Sequence, residues 1–437
     1  MKNSISYTLL TMLSLLITII SSPGYADELS EDEIIERFSN KTVEGRHLKK
    51  NFSFVRFYGA DGTLIAVSDE KGERTANWSA DEENLCHQWH GKNKCFPMKE
   101  QDGVVKMYNR RGTVPILVFN KFTDGNNLDK ITATETEIYE GPIIDGHGHL
   151  GGNYDPAEML ARDKRDDVPH MVVFPRLFNA DTSKGTTEEV ASEIAALYKD
   201  HMWMTVALQR RDVYEMDWQS PQSWWQDWLK WAKDEISSGR RRGMGELTAV
   251  HHAYTESEFA ERDFPVDSVL VNDLLTLSAQ TQRPLVLHAE GEAHVVPQIE
   301  TQLKRHPKAL LVWAHACGRS QPELVGKLLK TYPNLYCDLG NMTDTGNYGS
   351  LWPRKEDWMS QWEQDGTILP EWIKVMEQFP DRFYLGMDTN QWRGWVNQGI
   401  RSRAGRLDRF RAVLPQLSDS TIKSITIEVP TKLFGDR

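Results

Sequence analysis

Residues 143–150 read "IIDGHGHL", a short apolar run that ends in an acid and two histidines separated by one glycine. Side chains two residues apart in a strand point to the same side, so His147 and His149 are expected to project together. Asp145 would lie one layer deeper on the same face. A single pair of this kind is a weak signal, because such a short spacing also arises among residues with a purely structural role.

Seven further apolar runs follow, and longer amphipathic segments separate them. Near-continuous Val, Ile and Leu content is typical of strands that are buried on both faces. Eight strand–helix units within residues 141–437 predict an α/β fold, a TIM (β/α)₈ barrel. An open doubly wound sheet is the alternative, but no glycine-rich nucleotide motif follows the first run. The eight runs are 142–149, 170–178, 202–210, 241–250, 284–291, 309–318, 334–342 and 382–390.

Four of the later runs also carry an ionisable residue near their ends, namely Glu246, His288, His315 and Asp388. The carboxyl ends of barrel strands meet at one face, where active sites of this fold are built. An unpaired buried group would cost several kcal/mol, whereas converging imidazoles and carboxylates can share divalent cations. Zinc, manganese and iron accept these ligands. For Glu246, the alternative interpretation is a buried ion pair with one of the arginines in 240–242.

The order of these motifs resembles the amidohydrolase superfamily, in its amidohydrolase-related branch, over residues 141–437. The similar segments are "IIDGHGH", "GE", "PLVLHAEGE", "LLVWAHACG", "YPNLYCDL" and "FYLGMD", and the closing segment "SITIEVPTKLFG" departs at or near Val429, where the family usually has asparagine.

This resemblance implies one or two divalent metal ions, with zinc expected first and manganese or iron as alternatives. His147, His149 and Asp388 would hold one ion, and His288 and His315 would hold the other. Glu246 would bridge the two ions.

Such a centre implies an enzyme of the amidohydrolase type, a metal-dependent hydrolase. Metal-activated water would cleave an amide, ester, lactone or phosphoester bond of a small molecule. Asp388 would take the proton of the water and pass it to the leaving group. Arg176 would bind a substrate carboxylate or phosphate, although a loop salt bridge is an equal interpretation. Trp392 would line the pocket. Three histidines beyond strand ends are weaker pocket candidates: His251, His252 and His294.

Two other functions fit the same sequence. A decarboxylase or hydratase of the same superfamily would use a single metal ion. A non-catalytic exported binding protein would keep the barrel without turnover. Metal content and activity separate these alternatives from the hydrolase.

The first residues predict export. Lys2 and the apolar run 9–20 precede Gly24 and Ala26, which have the small-residue spacing of a cleavage site. We therefore expect a signal peptide in residues 1–26, a periplasmic or secreted protein, and no stable membrane span after cleavage. An uncleaved anchor is the alternative.

Residues 27–140 predict a small β-rich domain, because alternating apolar runs flank Asp-Gly and Asn-Arg-Arg-Gly turns. Cys86 and Cys95 flank a polar centre and predict a hairpin with a cross-strand disulfide. A metal knuckle that uses His87 and His90 is the alternative. Cys317 and Cys337 fall in apolar runs and are interpreted as separate small buried residues.

The charge balance of 51 basic and 63 acidic residues argues against a nucleic-acid partner. We expect a small-molecule substrate instead, and a homo-oligomer is compatible with the sequence.

Overall fold

The structure is a computed structural model of the 437-residue chain. It describes residues 27–48, 52–68, 72–89, 91–101, 104–128, 138–151, 155–177, 186–251, 262–340, 342, 359–360, 362–364, 366–389 and 402–436. The predicted signal peptide, His90, His252 and Trp392 lie outside these residues.

The chain divides into two compact units, and the last change between them falls between residues 128 and 129.

In the part of the β-rich N-terminal region that the structure describes, there are nine strands and one helix. In sheet order the strands run β1-β7-β6-β5-β4-β3-β2-β9-β8, and β8 also pairs with β7, so the sheet closes on itself. Helix α1, Glu31–Phe38, begins at a capping box formed by Ser30 and Glu33. The strands are β1 Asp27–Glu28, β2 Lys41–His47, β3 Phe52–Tyr58, β4 Thr63–Ser68, β5 Gly72–Asp81, β6 Asn84–Trp89, β7 Lys92–Gln101, β8 Val104–Tyr108 and β9 Pro115–Asp124.

The predicted hairpin disulfide is formed in this region. Cys86 in β6 lies directly opposite Cys95 in β7, and the two are bonded. His87 is buried and its Nε2 lies 3.3 Å from the hydroxyl of Tyr58. The alternative of a metal knuckle is wrong, because both cysteines are bonded to each other and His87 contacts Tyr58.

Eight parallel strands form a barrel-like sheet in the second unit. Neighbours in chain order pair in parallel, and single bridges join Val206 to Met244 and Gly148 to Thr389. Each predicted apolar run overlaps one of these strands, and only β10 extends beyond its run, by one residue. The strands are β10 Asp145–Leu150, β11 Met171–Leu177, β12 Met202–Met204, β14 Met244–Thr248, β17 Leu285–His288, β18 Leu311–Trp313, β19 Leu335–Asp338 and β22 Phe383–Tyr384.

Shorter strands and the helices complete this unit. The main core lies between the sheet and the apolar faces of the helices. The short strands are β13 Gln209–Arg210, β15 Val250–His251, β16 Arg262–Asp263, β20 Glu363–Gln364 and β21 Thr367–Ile368. The helices are α2 Pro156–Arg165, α3 Glu188–Leu197, α4 Arg211–Glu215, α5 Trp224–Ser237, α6 Val269–Thr281, α7 Val295–Arg305, α8 Pro322–Thr331, α9 Pro370–Gln378, α10 Arg403–Val413, α11 Asp419–Lys423 and α12 Val429–Phe434. No helix in the described ranges is long and apolar enough to cross a membrane.

The interpretation of Cys317 and Cys337 as separate buried residues is wrong. The two cysteines are joined by a disulfide, with their Cα atoms 5.0 Å apart. Strands β18 and β19 are neighbours in the sheet, and Trp313 is paired with Cys337. This pairing brings Cys337 beside the turn that follows β18, a proximity that depends on strand order and register.

Candidate metal centre

The six residues predicted as ligands lie together at the carboxyl ends of the barrel strands. Their side chains are almost entirely buried, and Asp388 has the largest side-chain exposure, 13%. His147 and His149 come from β10, Glu246 from β14, His288 from β17, His315 from the turn after β18, and Asp388 from the segment after β22.

One group of donor atoms consists of His147, His149 and Asp388. Nε2 of His149 lies 3.3 Å from Oδ1 of Asp388, and Nε2 of His147 lies 3.8 Å from the same oxygen. Asp388 is held in place by its backbone, because its N–H donates to the carbonyl of His147 at 2.7 Å.

A second group consists of Glu246, His288 and His315. Oε1 of Glu246 lies 3.1 Å from Nδ1 of His288 and 3.5 Å from Nε2 of His315. The other oxygen, Oε2, lies 3.4 Å from Nε2 of His149. Oε1 also lies 3.6 Å from Nε2 of His147, so Glu246 lies between the two groups and contacts histidines of both.

The spacing of the donor atoms fits divalent metal ions. Ligand atoms about 2.1 Å from a tetrahedral zinc ion lie about 3.4 Å apart, by simple geometry. The observed separations from Asp388 and Glu246 to the histidines range from 3.1 to 3.8 Å. Among the described residues, Nε2 of His147 is buried without a hydrogen-bond partner. A buried polar atom without a partner lowers the stability of the fold, and a bound metal ion would satisfy this one.

Asp338 is a further acid in this centre and is not among the predicted ligands. Its Oδ2 lies 3.1 Å from Nδ1 of His147, and its Oδ1 accepts the N–H of His315 at 3.2 Å. A carboxylate on the far nitrogen fixes the tautomer and orientation of an imidazole ligand. With Asp338 on Nδ1, Nε2 of His147 is the nitrogen that faces the other donors.

Glu290 plays the corresponding part for His288. Its Oε1 lies 3.3 Å from Nε2 of His288, which leaves Nδ1 directed at Glu246. Arg319 donates to both oxygens of Glu290, at 2.7 and 2.9 Å. This buried ion pair holds the carboxylate on one side, so the orientation of His288 depends on residues from two strand ends.

Asp145 is not part of the donor cluster. One of its oxygens accepts the backbone N–H groups of His147 and Met387, at 3.3 and 3.0 Å. The other accepts Nε of Arg403 at 2.8 Å, and Arg403 also pairs with Asp163. The acid of the opening motif therefore fixes the backbone that carries His147 and leaves metal binding to the residues beyond it.

Arg176 lies beside the cluster and is 7% exposed. Its Nε donates to Oε1 of Gln209 at 2.7 Å, and Nε2 of Gln209 donates to Oε2 of Glu246 at 2.7 Å. Burial, together with the charge of Arg176, lowers the pKa of His149 to about 4. His149 is therefore neutral near pH 7, as a metal ligand must be.

The carboxylates shift the remaining groups of the cluster. Although burial opposes it, the negative charges of Asp338 and Glu246 raise the pKa of His147 well above its usual range, so a metal ion that binds His147 would displace a proton from it. Burial would raise the pKa of Glu246 and Asp388, yet the surrounding imidazoles hold both pKa values below their ordinary range. Both carboxylates are therefore ionised at neutral pH.

Of the weaker pocket candidates, His251 lies next to the cluster and His294 lies outside it. His251 is buried with its ring centroid 5.1 Å from that of His288, and burial lowers its pKa to about 3. The side chain of His294 is half-exposed, contacts Asp263 and lies outside the donor groups. The alternative ion pair for Glu246 is wrong, because the three arginines have other partners: Arg240 binds Glu235, Arg241 binds Glu188 and Arg242 binds Asp436.

Fold and site together define a protein with a buried His–carboxylate cluster at the mouth of a barrel-like parallel sheet. No protein-family model matches the chain, and no curated protein matches it.

Solved hydrolases show a distant likeness to it. An amidohydrolase from Burkholderia multivorans is 13% identical, with 67% of this chain and 99% of that chain covered and a TM-score of 0.40. A probable 2-pyrone-4,6-dicarboxylic acid hydrolase from Acinetobacter baumannii is 14% identical, with coverages of 67% and 99% and a TM-score of 0.41. The dihydroorotase of Saccharomyces cerevisiae is 12% identical, with coverages of 69% and 85% and a TM-score of 0.42.

Proposed function

We propose that this protein is a metal-dependent hydrolase of the amidohydrolase type that acts on a small molecule. The observation that carries the proposal is the convergence of His147, His149, Glu246, His288, His315 and Asp388 at metal-ligand spacing. The second unit would then be a (β/α)₈ hydrolase barrel with its site at the usual face.

Two divalent ions fit the two donor groups. His147, His149 and Asp388 would hold one ion, His288 and His315 the other, and Glu246 would contribute an oxygen to each. Zinc suits this nitrogen and oxygen donor set, and manganese or iron would also be accepted. When bound, such ions lower the pKa of water and polarise a carbonyl or phosphoryl oxygen.

Asp388 is the residue best placed to move a proton. It is the most exposed of the six side chains and its carboxylate is ionised, so it can accept a proton from water. The water oxygen forms the new bond to the carbonyl carbon or phosphorus. The bond to the leaving group then breaks, and the leaving group takes the proton from Asp388. This is general base catalysis followed by general acid catalysis.

Arg176 supports a substrate that carries a carboxylate or phosphate. Its Nε donates to Gln209 beside the cluster, and the side chain lies in surroundings from which most water is excluded. A guanidinium pairs with such anions through two parallel N–H groups. We therefore propose Arg176 as a residue that favours anionic substrates; Trp392, predicted to line the pocket, lies outside the described residues.

Metal analysis and a substrate panel test the function together. Elemental analysis of the purified protein is expected to find about two divalent ions per chain, and His147→Asn should lower that number. Esters, lactones, dipeptides and phosphoesters, each with and without a carboxylate, are then assayed. We expect metal-dependent turnover that Glu246→Gln abolishes. The exposed His294→Asn is the matched control and should keep metal and activity. A fully metal-loaded protein without turnover would favour a binding protein.

We also propose that the protein is exported to the periplasm or secreted. Two disulfides among the described residues agree with an oxidising compartment. Fractionation of expressing cells, with cleavage after Ala26 checked by N-terminal sequencing, tests this proposal.

A further inference from the structure

The turn that carries His315 has an unusual backbone. Five successive residues, 315–319, have positive φ angles of 58, 51, 57, 74 and 59°. Only one of the five is glycine, and residues with a Cβ atom avoid this left-handed region. Such a conformation persists only when the surrounding structure holds it.

Packing explains the single glycine. A Cβ atom on Gly318 would lie 2.6 Å from the Trp313 ring and 2.7 Å from the carbonyl oxygen of Ala289. The turn is therefore pressed against the ends of β17 and β18, and no side chain fits at this position.

Non-covalent contacts hold the two ends of the turn. At its start, the N–H of His315 donates to Asp338 at 3.2 Å, and Nδ1 of His315 lies 2.8 Å from the carbonyl oxygen of Gly340. At its end, Arg319 forms the ion pair with Glu290. Both ends thus contact residues that also orient the histidines of the cluster.

The centre of the turn is held covalently. Cys317, two residues after His315, is bonded to Cys337, which directly precedes Asp338. Both cysteines are completely buried. The disulfide therefore ties the turn that carries His315, a candidate metal ligand, to strand β19. That strand carries Asp338, the carboxylate that orients His147.

We infer that the Cys317–Cys337 disulfide is a positioning element of the metal centre, which sets the affinity of the Glu246, His288 and His315 group for its ion. Without this bond, the left-handed turn can relax and carry Nε2 of His315 away from Glu246. Metal affinity depends on donor positions within tenths of an ångström, so a small movement suffices. The inference rests on the proposed metal centre and adds its dependence on a disulfide.

The experiment compares the two disulfides of one chain. Zinc is titrated into metal-free protein, with cobalt absorption as a second readout of ligand geometry. Wild type is expected to bind two ions. The pair Cys317→Ala, Cys337→Ala should bind one ion as wild type does and the second 10- to 100-fold more weakly, the range seen when ligand-orienting contacts are lost. The control pair Cys86→Ala, Cys95→Ala should bind both ions with wild-type affinity.

Folding is checked by circular dichroism and thermal unfolding. If the alanine pair does not fold, Cys317→Val with Cys337→Ala replaces it, because valine refills part of the volume of the lost sulfur atoms. Unchanged affinity for both ions in a folded variant would overturn the inference. Absence of any metal binding by wild type would instead overturn the metal centre itself, so the two failures are distinguishable.

Discussion

Both units of the molecule bury histidine, yet among the described residues only one group of histidines has the surroundings of a metal site. His87 in the N-terminal unit is buried with the hydroxyl of Tyr58 3.3 Å away, and burial holds its pKa well below the usual range. At the barrel mouth, carboxylates lie within 4 Å of each histidine, and Nε2 of His147 has no hydrogen-bond partner among the described residues. Burial alone therefore does not mark a site; converging carboxylates and an unsatisfied donor atom do.

The two disulfides also differ, because only one of them lies next to the candidate metal centre. Cys86–Cys95 closes a hairpin, with nine residues of sequence separation, and it follows from local pattern. Cys317–Cys337 joins two strand ends that become neighbours only in the barrel. The first is local and the second belongs to the surroundings of the candidate metal centre.

The largest expected effect comes from the proton-transferring carboxylate. Asp388→Asn should lower kcat by a factor of about 10² to 10⁴, the usual contribution of general acid–base catalysis. His87→Gln, which alters the buried histidine of the other unit, should leave kcat unchanged. Steady-state kinetics on a substrate found in the panel measures both. Equal losses in the two variants would break the comparison between the units.

Metal removal should lower the stability of the barrel. An ion present at 100 times its Kd stabilises the folded state by about 2.7 kcal/mol at one site. Thermal unfolding with and without a chelator measures this difference. In His147→Asn the chelator should have a smaller effect, whereas in His87→Gln it should match wild type. A chelator effect of wild-type size in His147→Asn would show that this histidine is not a ligand.

Loss of the carboxylate behind His147 should have a smaller effect on the metal. Asp338→Asn should weaken metal binding about 10- to 100-fold, because the amide holds the ligand tautomer less firmly. Competition titration with a chromophoric chelator gives the affinities. Asp267→Asn, at an acid outside the predicted cluster, is the control. Equal affinities for Asp338→Asn and wild type would limit Asp338 to a structural role.

The smallest expected effect is the pH dependence caused by His87. Its folded-state pKa is lowered by burial, so below pH 6.5 the unfolded chain binds a proton that the folded chain does not. Stability therefore falls as the pH falls, by about 1.4 kcal/mol at pH 5.5. Urea unfolding at pH values from 7.5 to 5.5 gives the free energy of unfolding at each pH. This free energy should fall less steeply with decreasing pH in His87→Gln than in wild type. Parallel curves for the two proteins would contradict a neutral buried imidazole.

Sequence pattern was sufficient wherever the signal was local or periodic. The eight apolar runs each overlap a strand, and the predicted hairpin places Cys86 opposite Cys95. The six ligand candidates lie together because the ends of parallel barrel strands meet at one face. Glu290 also carried a local signal, because it follows His288 by two residues in the same apolar run.

Other features depend on the tertiary structure. Asp338 also ends an apolar run, but its role follows from the distance of 3.1 Å to His147, a residue 191 positions away. Asp145, which the opening motif placed beneath the histidines, binds Arg403 from the last part of the chain. The partners of Cys317 and Arg176 likewise come from other strands.

The sequence by itself determined the strand–helix rhythm, the hairpin and the identity of the ionisable groups at the strand ends. These properties depend on the periodicity of side chains along one segment. Only the tertiary structure decided which nitrogen of each histidine faces its neighbours, which carboxylate orients it and which cysteine bonds to which. Those choices depend on register between strands that are far apart in the chain, and side-chain periodicity within one segment carries no record of them.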